Sequence, residues 1–153
     1  MSIKKINYAE ELRAGRPLIV PTMGTSMQPL LHQGETRVVL VPLSGPLKKG
    51  DLLLYQRPTG EHVLHRVVRV TDSVCYLRGD HCYDPLEPVE PGQRLGVAQA
   101  IIRKDGSSFP VTAPLYRLYG RVWMGSYPLR WGLNVLRHPR SSLRALKAKR
   151  DRG

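Results

Sequence analysis

Residues 62–70 form the run HVLHRVVRV, which is rich in valine and follows the turn sequence RPTGE. Successive side chains of a β-strand point to opposite faces of the sheet. Val63, His65 and Val67 therefore share one face, while Arg66 points to the other. The run predicts a β-strand that carries a histidine within an apolar face.

Similar short runs, separated by turns rich in glycine and proline, fill residues 17–112. The strands that they predict are Leu18–Pro21, Arg37–Pro42, Asp51–Gln56, Val63–Val70, Val74–Arg78 and Val97–Arg103. Most connections are too short for the helical crossovers that parallel strands require. The sequence therefore predicts a mainly β fold, with a curved, mostly antiparallel sheet or a partly open barrel.

Helical patterns flank this β-rich part on both sides. Asn7 and Glu10 have the spacing of a helix N-cap and its partner, and Gly15 ends a short N-terminal helix. The run PLYRLYGRVWMG, which begins at Pro114, spaces its apolar residues as an amphipathic helix does. We therefore divide the chain into an N-terminal helical segment, a β domain and a basic aromatic helical C-terminal tail, which span residues 1–16, 17–113 and 114–153.

The net charge of +12 on these 153 residues is concentrated in the tail. Residues 1–113 contain 14 basic and 11 acidic residues, a balance of +3, whereas residues 114–153 contain 10 basic residues and 1 acidic residue, a balance of +9. Tyrosines and tryptophans alternate with the arginines of the tail. This composition suits either contact with an anionic membrane surface or packing of the rings over one end of the β domain. Nucleic acid is the least favoured partner.

Other features of the sequence exclude several classes of protein. The first residues lack the apolar region of a signal peptide, and arginines interrupt the longest apolar stretch, so we expect a cytoplasmic protein, peripheral on a membrane at most. Cys75 and Cys82 are too few for a disulfide-built scaffold. His62, His65, His81 and Cys82 lack the CxxC and HExxH spacings, so we predict neither a metal site nor a cofactor.

The segment Gly24–Pro29 (GTSMQP) contains Ser26, the best candidate nucleophile. A serine that leaves a strand at a glycine-flanked bend can present its hydroxyl beside backbone N–H groups that stabilise an oxyanion. Such a serine needs a base, and a histidine such as His65 suits that role near neutral pH. Asp80 or Asp84 could accept a hydrogen bond from the other ring nitrogen. The structural alternatives are a capping serine, a core histidine and aspartates that cap turns.

Four motifs in this order make the chain resemble signal peptidase I and the LexA-like peptidases. They are Gly24–Pro29, Gly50–Leu53, His65–Val68 and Arg78–Asp80. The resemblance implies the curved β fold of that family and a serine endopeptidase that cleaves a leader or signal-like peptide bound as an extended strand. Most bacterial members carry a lysine base, whereas a histidine before Arg-Val is similar to the Ser-His-Asp arrangement of the archaeal and endoplasmic-reticulum members.

The resemblance also assigns roles to individual residues. These are nucleophile for Ser26, general base for His65, acidic partner for Asp80 or Asp84, oxyanion donors for the Ser26 N–H and the Thr25 hydroxyl, and substrate contacts for Met27 and Pro29. From residues 1–16 we expect neither the membrane anchor of the signal peptidases nor the DNA-binding helices of the repressors. The alternative function is that of an inactive family member whose basic tail binds a membrane surface or nucleic acid.

Overall fold

The structure is a computed structural model that describes residues 6–139. Its helices are α1 (Tyr8–Arg13), α2 (Pro114–Gly125) and α3 (Tyr127–Arg137). Its strands are β1 (Leu18–Pro21), β2 (Arg37–Pro42), β3 (Leu52–Gln56), β4 (His62–Val70), β5 (Cys75–Arg78), β6 (Glu87–Val89), β7 (Arg94–Ile102) and β8 (Ser108–Pro110). One turn of 3-10 helix, Pro91–Gln93, connects β6 to β7.

The eight strands form a single open sheet in which every pairing is antiparallel. The strand order is β1-β2-β7-β3-β4-β5-β6, and β8 pairs with β7. The prediction of a mainly β, mostly antiparallel fold is therefore confirmed. In the part of the chain that the structure describes, β1 and β6 each have a single strand neighbour and form the two ends of this order.

The sequence predicted β1 and β2 with their observed bounds, but it did not predict β6 and β8. β6 lies within the segment DPLEPVEPG, whose prolines are typical of a loop. A strand at the edge of a sheet tolerates proline because the missing N–H can face away from its partner. β8 forms a hairpin with β7 around Gly106, whose φ of +84° favours glycine.

The central strand β3 is buried on both faces and separates two hydrophobic cores. Leu52 and Leu54 belong to the first core, which also receives the buried side of α1. Leu53 and Tyr55 belong to the second core, which lies among β3, β4, β5 and β6. His65 is the partner of Leu53 across β3 and β4. Because directly opposite residues share a face, His65 faces the second core.

The helices α2 and α3 pack against the β domain through aromatic residues. Tyr116 is only 7% exposed. The Trp123 indole N–H donates to the backbone carbonyl oxygen of Asp80 at 2.8 Å. The interpretation in which tail aromatics cover one end of the β domain is therefore confirmed for these two residues. The basic helical end predicted for residues 141–153 lies outside the described residues.

Candidate active site

His65 lies within β4, on the face of the second core. It is 7% exposed, and its Nδ1 lies 3.3 Å from the hydroxyl oxygen of Tyr55. Tyr55 follows Leu53, the cross-strand partner of His65, by two residues, so both side chains lie on one face of the sheet. Burial lowers the pKa of His65 below its usual value, although the nearby Glu87 carboxylate acts in the opposite direction. The imidazole is therefore neutral near pH 7.

The Tyr55 hydroxyl determines which nitrogen of His65 carries the proton. It donates to Glu87 Oε2 at 2.6 Å, and burial raises the pKa of Tyr55, so the phenol keeps its proton. A phenol has one proton to donate, so its oxygen accepts the hydrogen bond from His65 Nδ1. A neutral imidazole has one N–H. The Nε2 of His65 therefore keeps its lone pair, as a general base requires.

Arg57 holds Glu87 in its ionised form at the far end of this chain of hydrogen bonds. The Arg57 Nε donates to Oε1 and its Nη2 donates to Oε2, each at 2.7 Å. These hydrogen bonds lower the pKa of Glu87 below its usual value, against the opposing effect of burial. The charge on Glu87 would stabilise an imidazolium at His65 through the Tyr55 hydroxyl.

Ser26 lies in the loop that joins β1 to β2, and buried groups fix this loop. At its base, the hydroxyls of Thr22 and Thr36 lie 2.8 Å apart. In its middle, Met27 and Leu31 are 5% and 2% exposed and belong to the first core. Ser26 itself is half-buried, and within residues 6–139 neither its N–H nor its hydroxyl has a hydrogen-bond partner. Both groups are therefore free to meet a substrate.

A close contact at Gly79 places Ser26 against the end of β5. A methyl group at Gly79 would lie 2.5 Å from the Ser26 carbonyl oxygen, 3.0 Å from the Ser26 Cβ and 2.7 Å from the Cys82 sulfur. Any other residue at this position would therefore displace the serine or its neighbours. The His81 N–H donates to the same carbonyl oxygen of Ser26 at 2.8 Å and holds the loop in place.

The register of β4 and β5 relates Ser26 to His65. The two strands pair at Arg66 and Arg78. One further residue in this register sets Gly79 beside His65, on the same face of the sheet. Because Ser26 packs over that face of Gly79, the loop brings the candidate nucleophile to the side of the sheet that carries the candidate base.

Asp80 binds Arg66 instead of making the predicted contact with His65. The Arg66 Nε and Nη2 donate to its two carboxylate oxygens, each at 2.7 Å, and the two side chains are 1% and 3% exposed. Arg66 follows His65 and so points to the opposite face of the sheet. Asp80 shares that face, because it follows Arg78, the partner of Arg66, by two residues. Within residues 6–139, no hydrogen bond joins Asp80 to His65.

The other predicted site residues lie in different environments. Asp84 occupies an exposed bend and has no hydrogen bond to His65 in the described part of the chain. Met27, which was expected to contact substrate, is buried and anchors the loop instead. Thr25 is exposed next to Ser26, and Pro29 is exposed after a cis peptide bond, so both remain accessible to a substrate.

The sequence did not predict the partners that His65 has in the structure. Tyr55 could have been found from the alternation of side chains along β3, which places it on the same face as His65, and from the need of a buried tyrosine for a partner to its hydroxyl. Glu87 could not, because the sequence does not predict the strand β6 that carries it. Its pairing with Leu77 places it on the face of the second core, and only the fold reveals this.

Residues 6–139 contain no group of three or more His, Cys, Asp or Glu side chains that could hold a metal ion. Cys75 and Cys82 are free thiols. None of the helices in the described range is long and apolar enough to cross a membrane. Comparison with family models, with curated proteins and with solved structures found no match to this chain.

Proposed function

We propose that this protein is a serine endopeptidase with Ser26 as nucleophile and His65 as general base. The observation that carries the proposal is the packing of the Ser26 loop over Gly79, which continues the register of β4 and β5 by one residue to the level of His65. A nucleophile and a base on one face, with the base positioned by a third group, is the arrangement that acyl transfer requires. Here the third group is Tyr55 with Glu87.

The reaction follows from the groups at the site. The Ser26 hydroxyl attacks the scissile carbonyl carbon as its proton passes to His65 Nε2, and the unpaired Ser26 N–H donates to the oxyanion that forms. The resulting imidazolium keeps its Nδ1–H bond to Tyr55 and is stabilised by the charge on Glu87. His65 then returns the proton to the leaving amine, and water hydrolyses the acyl-enzyme by the same steps.

An extended peptide fits the approach to this site. β1 is the end strand of the sheet, and residues 22–25 lead directly from it to Ser26. A peptide that pairs with the outer edge of β1 would receive main-chain hydrogen bonds along its length, as in other cases of strand addition. Ile19 of β1 is 59% exposed and offers an apolar contact to such a peptide.

The proposal predicts that a fluorophosphonate probe labels the folded protein once, at Ser26. Intact-mass measurement and peptide mapping would detect the adduct. Ser26→Ala should abolish labelling, whereas Ser44→Ala, which alters an exposed serine of another loop, should leave it unchanged. Labelling of Ser26→Ala at the wild-type rate would exclude Ser26 as nucleophile. An unlabelled wild-type protein that binds vesicles would favour the inactive-module alternative.

The lowered pKa of His65 predicts a characteristic pH profile for the labelling rate. The base acts in its neutral form, so protonation stops the reaction. Because burial lowers this pKa, the rate should fall only at a pH below the range in which an ordinary histidine, with a pKa of about 6.5, becomes protonated. Circular dichroism at each pH would show that the protein stays folded. A rate that climbs steadily toward alkaline pH would instead indicate a lysine base and contradict the role of His65.

A further inference from the structure

The outer faces of α2 and α3 carry two stripes of exposed apolar residues. On α2 the stripe consists of Leu115, Leu118 and Val122, which are 82%, 55% and 60% exposed; on α3 it consists of Leu129, Leu133 and Leu136, which are 69%, 46% and 78% exposed. Their spacing of three and four residues places each set on one side of its helix. With Trp131 they account for 7 of the 11 large apolar residues exposed in the described range, so the apolar surface is concentrated here.

The inner sides of these helices are already occupied. Tyr116 is buried in the first core. Tyr119 donates its hydroxyl proton to Asp80 Oδ2 at 3.3 Å, and Arg130 donates to the Asp80 carbonyl oxygen at 3.0 Å. The two stripes are therefore not the side by which the helices pack onto the β domain. Monomeric proteins seldom expose concentrated apolar surface without a binding role.

The charges around the stripes are predominantly positive. Residues 114–139 contain four arginines and no aspartate or glutamate. Arg117 and Arg121 line a cleft of about 260 Å³ together with Lys48, Lys49 and a single carboxylate, that of Asp51. Within residues 6–139, none of these four cations has an ion-pair partner. The surface therefore combines exposed leucines with a net positive charge.

We infer that the outer face of α2 and α3 binds the surface of an anionic phospholipid bilayer. The leucine stripes enter the boundary between headgroups and acyl chains, while Arg117, Arg121, Lys48 and Lys49 meet the lipid phosphates. A nucleic acid would use the cations but has no use for the leucines, and a neutral protein partner would not require the cations. The inner sides of the same helices bond to Asp80, which directly follows Gly79, so binding would hold Ser26 near the membrane.

The test uses the full chain and sedimenting vesicles of phosphatidylcholine, with and without about 30% phosphatidylglycerol. We expect binding to the anionic vesicles only, weakened by salt. Leu133→Asp with Leu136→Asp should weaken it at least about tenfold, and so should Arg117→Glu with Arg121→Glu. Ile6→Asp with Val70→Asp, which introduces the same two charges at exposed apolar residues away from α2 and α3, should bind as the wild type does.

Three outcomes would overturn the inference. They are equal binding to both kinds of vesicle, unchanged binding after the leucine substitutions, and a concentration-dependent dimer that those substitutions dissolve. The rate of Ser26 labelling in solution should be the same in the leucine variants as in the wild type. Failure of membrane binding is thus distinguishable from failure of the proposed peptidase activity.

Discussion

Asp80→Asn should lower the free energy of unfolding by about 3–5 kcal/mol, because it leaves the Arg66 guanidinium buried without its counter-charge. Arg66 is 1% exposed and cannot regain water without opening the sheet. The loss is large compared with a total stability of about 5–15 kcal/mol for a domain of this kind. Urea unfolding followed by circular dichroism would measure this loss. The urea concentration at the midpoint of unfolding should fall, while the dependence of the free energy on urea concentration stays the same.

Asp84→Asn is the matched control for this substitution. It makes the same chemical change four residues away, in an exposed bend, and should alter the free energy of unfolding by no more than about 0.5 kcal/mol. In a double-mutant cycle, the variant with both Arg66→Ala and Asp80→Ala should lose less free energy of unfolding than the two single variants lose together, since the two groups act as a pair. Additive costs would contradict the importance of the ion pair.

The same variant separates a structural role of Asp80 from a catalytic one. The Arg66–Asp80 pair lies on the face of the sheet opposite His65, and Asp80 also bonds Tyr119 of α2. Where Asp80→Asn remains folded, the labelling rate of Ser26 should therefore stay within a few-fold of the wild-type rate. A loss as large as that of a base variant would restore Asp80 to the position that the resemblance assigned to it.

The alternation of side chains between the two faces of a strand explains why the sequence predicted most of the sheet and only part of the site. Val-rich runs with turn residues at their ends determine the strands locally, and six of the eight strands followed from that signal. The same alternation separates His65 from Arg66, and it places Asp80 with Arg66. The order of the motifs along the chain carries no information about faces, so it left Asp80 and Asp84 as alternative partners of His65 and did not indicate the pairing of Asp80 with Arg66.

The partners of His65 depend on tertiary contacts that no local pattern encodes. Glu87 reaches the site through β6, a three-residue edge strand with a central proline. Its position is determined by pairing with β5 and by the two hydrogen bonds from Arg57, which lies 30 residues earlier in the chain. The position of Ser26 depends likewise on the absence of a side chain at Gly79. Both determinants become visible only once the strands are paired.

His65→Ala should lower the labelling rate of Ser26 by about 10²–10⁴-fold, because the serine would lose the group that accepts its proton. His62→Ala is the matched control. His62 begins the same strand but is exposed, so its removal should leave the rate unchanged. Both rates would be measured at pH 7.5 by quenching the labelling reaction at a series of times, on samples whose folding is verified by circular dichroism.

Two further variants test how His65 is positioned. Tyr55→Phe removes the acceptor of the Nδ1–H and should slow labelling about tenfold, and it should move the acid limb of the pH profile to lower pH, because the imidazolium loses its stabilising partner. Glu87→Gln should move the limb in the same direction, since it removes the negative charge that opposes the effect of burial on the His65 pKa. A structural defect would lower the rate at every pH and leave the limb in place. A profile that scales down without shifting would therefore show that Tyr55 and Glu87 support the fold and not the base.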